Sequence, residues 1–137
     1  MRRIFFLGFM LGMFILSSPA AAADLEGEWK NIEREGHHGA LSGNPDHGTM
    51  PEGNHFASHI PWTLKITDQK DNGFHGQWCS SKMCENLVGV IRRDGSIIMV
   101  DEDTTFFATM YGDEMELCST EPGKDFRVAA CNILKKK

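Results

Sequence analysis

From Trp62 to the C-terminus the chain is a succession of short alternating runs with turn residues between them, and this period constrains the fold more than any other feature. Trp62, Leu64 and Ile66 alternate with Thr63, Lys65 and Thr67. A period of two sends successive side chains to opposite faces of a strand, so each run has one apolar face and one polar face. Asp71-Asn72-Gly73 follows and turns the chain, because Asn and Gly tolerate the positive φ of a tight hairpin. Phe74, Gly76 and Trp78 then alternate with His75 and Gln77, and Leu87 to Ile91 runs into Arg93-Asp94-Gly95. Ser96 to Val100 and Thr104 to Met110 come next. Gly112-Asp113 turns the chain into Met115 to Cys118, and Pro122-Gly123-Lys124 precedes Phe126 to Leu134. With Leu25 to Ile32 at the front, the reading is eight strands, and few stretches carry the i, i+3, i+4 spacing of a helix.

Eight sequential strands leave two unpaired edges unless the sheet closes on itself. The chain is therefore read as all-β, an eight-stranded antiparallel up-and-down meander barrel. A Greek-key sandwich is the rival, but it needs a long crossing, whereas every connection after Trp62 is of hairpin length. The one long connection is 33–61, between strands one and two. It is rich in His, Gly and Pro, is expected to hold little regular structure, and reads as a lid over the barrel.

The front of the chain sets the compartment. Arg2-Arg3 precedes an apolar run from Ile4 to Leu16, and Ala20-Ala21-Ala22-Ala23 offers the small residues of a signal-peptidase site. Residues 1–23 read as a signal peptide and 24–137 as one domain, periplasmic or secreted. Without residues 1–23 the 14 basic residues fall to 12 against 19 acidic, a formal charge of −7. That balance argues against nucleic acid as a partner. No apolar run in 24–137 is long enough for an integral membrane helix.

Four cysteines in an exported domain imply two disulfides. Cys79 and Cys84 flank a four-residue hairpin loop, and Cys118 and Cys131 lie on the last two strands around Pro122-Gly123. Cross-strand neighbours are within disulfide reach, which favours the pairing Cys79–Cys84 and Cys118–Cys131. A four-cysteine zinc site fits an oxidising compartment poorly.

Gly27-Glu28-Trp29 on the first strand, followed by a long first connection and a β-meander, resembles the calycin group of barrels: lipocalins, avidins and fatty-acid-binding proteins. The resemblance implies that Trp29 plugs the closed end and that the first loop lies over the open end. An eight-stranded barrel is just wide enough to be filled by its own side chains or to hold one small apolar molecule under that loop.

Three functional readings follow. The first is a binding module in which Trp62, Trp78, Met99 and Phe107 line a pocket under the lid or fill the barrel. The second is capture of zinc, copper or nickel by the long connection, which holds five of the six histidines: His37, His38, His47, His55 and His59. There the spacing His55-x3-His59 would put two rings on one face of a helical turn. The third is a protein partner, met by an envelope-associated inhibitor or adhesin. Asp101-Glu102-Asp103 matches no calcium-loop spacing and reads as a solvated hairpin tip. No nucleophile elbow or phosphate-cradling loop is present, so neither catalysis nor a cofactor is expected.

Overall fold

The computed structural model describes residues 23–32, 37–43, 53–56 and 62–137. They form ten strands: β1 (Gly27–Asn31), β2 (His37–Ser42), β3 (Asn54–Phe56), β4 (Thr63–Lys70), β5 (Gly73–Cys79), β6 (Cys84–Ile91), β7 (Ile97–Val100), β8 (Thr105–Tyr111), β9 (Glu114–Pro122) and β10 (Arg127–Lys136). β4 to β10 are a run of antiparallel hairpins. β1 closes the ring, pairing with β4 from Gly27↔Ile66 to Lys30↔Thr63 and with β10 from Trp29↔Lys136 to Asn31↔Leu134. The eight-stranded up-and-down barrel is as expected.

The long connection is not. Within it, β2 pairs with β10 from His37↔Asn132 to Ser42↔Arg127, and β3 pairs with β2. The reason lies in β10, whose ten residues outrun β1, which covers only positions 134–136 of that edge. The remaining N–H and C=O groups need partners, and β2 supplies them by continuing along the same edge. β9, β10, β2 and β3 thus make a wall beside the end of the barrel where β1 finishes and β4 begins, here termed the open end.

At the opposite, closed end Trp29 is 3% exposed, and its indole N–H donates to the carbonyl of Leu25 at 2.8 Å. Lys136 Nζ lies 5.9 Å from the centre of the same ring. Gln69 pins the entering chain: its Oε1 accepts from Leu25 N at 2.9 Å and its Nε2 donates to Ala23 O at 2.8 Å. Trp29 is the plug that the resemblance implies.

The interior is built in rows. Phe74, Gly89, Met99 and Phe106 are successive register partners on the inner face. Gly89 is the small member because the Phe74 ring occupies its place; a Cβ built there would fall on that ring and within 2.7 Å of Met99 Cγ. Leu64, Met99, Phe106, Met115, Leu117 and Leu134 are all 0% exposed. Both disulfides join the expected cysteines, with Cα separations of 4.0 Å for Cys79–Cys84 and 3.9 Å for Cys118–Cys131.

Candidate binding site at the open end of the barrel

A ligand-sized hollow would leave accessible surface on the side chains around it. The buried core residues keep no more than 6% of theirs, so the middle and closed end are filled by the protein itself. Among the described residues, Trp62, Trp78, Glu85 and Asp101 gather at the open end. Trp78, on the last inward position of β5, reaches across the barrel and meets Phe106 of β8 edge-on, with ring centres 5.5 Å apart. Trp62, just ahead of β4, lies flat on Trp78 with centres 5.0 Å apart and planes within 10°. Trp78 is 5% exposed while Trp62 is half-buried, so the pair roofs the core and leaves an aromatic surface at the mouth.

Beside this roof stand carboxylates. Trp78 and Glu85 are register partners, hence on the same inner face, and the disulfide Cys79–Cys84 staples the hairpin one position away. Asp101 follows Met99 by two residues and turns inward with it. Carboxylate oxygens of Glu85, Asp101 and Asp103 come within 4.8 Å of one another. Asp101 Oδ1 accepts from the backbone N–H of Thr104 at 2.7 Å and of Asp103 at 3.3 Å, while Oδ2 is buried with no hydrogen-bond partner. Burial pushes the Asp101 carboxyl above the ordinary aspartate range, and the two backbone N–H groups offset part of the rise. The solvated tip expected for 101–103 is thus corrected at Asp101, which is half-buried because inward parity carries it over the core.

The opposite wall is polar as well. Asn132 is 2% exposed, and its Oδ1 accepts from Asn31 Nδ2 at 2.8 Å. Higher on the wall Glu121, Val128, Leu41 and His55 form one register row on the inward face of β9, β10, β2 and β3. Among the described residues, the outer surface includes a shallow groove of about 680 Å³ between His75, Asn86, Val88 and Val100, and another of about 410 Å³ between Ala40, Phe56 and Ala129.

Of the expected pocket residues, Trp62, Trp78 and Met99 belong to the inner face, with Met99 in the core beneath the aromatic roof. Phe107 is a correction. It is 49% exposed on the outer face, and Phe106 takes the interior place. Their order is decided by register, since Phe106 pairs with the inward Met99 and Phe107 with the outward Ile98. The histidines are not gathered among the described residues. His38 is register partner to Cys131 on the outer face, and His55 partners Leu41 on the inner one. His55 lies in strand β3 rather than in a helical turn. His37 begins β2, and His47 and His59 lie outside the described residues. Glu85, Asp101 and Asn132 are the mouth residues that sequence reasoning missed. For Glu85 a signal existed, because a hairpin centred on the Cys79–Cys84 bridge places Glu85 opposite Trp78.

No protein-family model matches the chain, and no curated protein is similar to it in sequence. Among solved structures it aligns with the siderocalin Ex-FABP, a protein described as functioning through dual ligand specificities. The identity is 14% over 82% of this chain and 73% of that one, with a TM-score of 0.46. The barrel has the calycin plan. Its strand order and the β1–β10 closure give it that plan.

Proposed function

We propose that this is an exported binding protein that holds a small ligand at the barrel mouth, stacked on Trp62, and that the preferred ligand is an organic cation with a flat apolar body. The observation that carries the reading is the Trp62–Trp78 pair, with one ring sealed into the core opposite Glu85 and the other half-buried on top of it. An indole face attracts a cation through its quadrupole, and nearby carboxylates add Coulombic attraction at a partly dehydrated rim. The apolar lower barrel contributes rigidity, because a closed, filled core keeps Trp78 from moving. Two disulfides support the exported setting, since such bonds persist outside the reducing cytosol.

Calorimetric titration with three probes that share one ring tests this: tryptamine (cation), 3-methylindole (neutral) and indole-3-acetate (anion). Tryptamine should bind about tenfold more tightly than 3-methylindole, the anion should bind weakest, and Trp62→Ala should remove the heat. Equal affinities for all three would sink the cation preference. Tryptamine binding that survives Trp62→Ala would sink the site.

A further inference from the structure

The outer face of β6, β7 and β8 carries no charge across two whole rows. Val88, Val100 and Thr105 are register partners in one row, and Val90, Ile98 and Phe107 in the next. Val88 is 49% exposed, Val90 45%, Val100 41% and Phe107 49%. β-Branched and aromatic side chains side by side on the solvent face of a sheet make a contiguous patch rather than scattered apolar residues. Charges stop abruptly at its two ends and differ in sign. At the open end lies the β7–β8 loop with Asp101, Glu102 and Asp103; at the closed end lies the β6–β7 turn with Arg92, Arg93 and Asp94, where Asp94 pairs with Arg92 at 3.4 Å and Arg93 supplies the net positive charge. β7 has four residues, so the two ends are about 13 Å apart.

We propose that this face docks a second copy of the same chain, face to face about a two-fold axis that lies in the interface and crosses the strands. Such an axis lays the open end of one copy over the closed end of the other. The apolar rows then cover each other, and the acidic loop of each copy meets the arginine turn of its partner. Each charge contact occurs twice, as an isologous interface requires. An axis along the strands would instead set acid against acid and arginine against arginine. The same polarity disfavours an anionic lipid surface as the occupant, because the acidic loop borders the patch directly and repels it. The rest of the barrel wall agrees, since β4 turns Lys65, Thr67 and Asp68 away from the core where β7 turns Ile98 and Val100.

Sedimentation equilibrium of the purified, processed protein is the test, with far-UV circular dichroism as the check on folding. The wild type should dimerise with a dissociation constant in the range of about 1–100 μM, more tightly at low salt than at high salt. Phe107→Lys should be monomeric with an unchanged spectrum. Arg93→Glu alone and Glu102→Arg alone should each weaken the dimer at least about tenfold, and an equimolar mixture of the two should restore association as a heterodimer. A wild type that stays monomeric at about 100 μM, a Phe107→Lys protein that dimerises like the wild type, or a mixture no tighter than either parent would overturn the proposal.

Discussion

Replacing Trp29 separates two contributions that the closed end combines. Its ring is 3% exposed, and its N–H donates to the carbonyl of Leu25, a residue with no exposed surface, at 2.8 Å. Trp29→Phe keeps an aromatic plug but strands that carbonyl out of water, which costs about 1–3 kcal/mol. Trp29→Ala also opens a cavity, and the loss of a buried aromatic ring brings the total to about 3–5 kcal/mol or more. In a domain of about 100 residues each kcal/mol lowers the melting temperature by about 4–8 °C. The Phe variant should therefore melt at least a few degrees below the wild type, and the Ala variant far lower. Lys136→Met removes the cation 5.9 Å from the ring centre and its link to Asp24, and should cost about 0.5–1 kcal/mol. Urea unfolding with the disulfides intact measures all three. A Phe variant as stable as the wild type, beside an Ala variant that is not, would show that the Leu25 contact stabilises nothing. Two neutral variants would refute the plug itself.

Gly89→Ala should destabilise by about 1–3 kcal/mol or more in the same assay, because the Phe74 ring that fills its place is 2% exposed and has nowhere to go; an unchanged midpoint would mean that the row of Phe74, Gly89 and Met99 is looser than described. Asp101→Asn addresses pH. Burial raises the folded-state pKa of this carboxyl above its unfolded value, so the folded state holds the proton more tightly, and stability is lost as pH rises through the raised value. Asparagine keeps Oδ1 as acceptor for Thr104 and Asp103, so the variant should be more stable than the wild type at pH 7 and equal to it near pH 3. A variant less stable at pH 7 would show the carboxylate to be held by an attractive charge instead.

The barrel was legible because hairpin signals are local: Asp71-Asn72, Gly95 and Gly112 sit in turns with positive φ at Asp71, Gly95 and Gly112, and the runs between them keep a period of two. What was not legible depends on partners distant in sequence. β2 and β3 look like loop because glycine, histidine and proline crowd 33–61, and they pair because β10 is longer than the β1 edge beside it, a property of two segments about a hundred residues apart. Phe106 and Phe107 are adjacent and equally apolar, so period alone cannot say which faces in; the ladder to Met99 and Ile98 decides it. Parity is the quantity that links these cases. Once Cys79 opposes Cys84, Trp78 and Glu85 share the inner face; once Met99 is inside, Asp101 is carried to the mouth and Val100 to the outer patch. The acidic mouth and the apolar outer face are therefore two results of one register, and a single-residue slip in β7 would exchange them. That slip would bury Ile98 and Val100 in place of Ile97 and Met99, leaving Met99 in water and taking Asp101 from its place by Glu85. The core strongly disfavours it, since Ile97 and Met99 are 1% and 0% exposed, and so the packing that holds the barrel closed also fixes the charge at its opening.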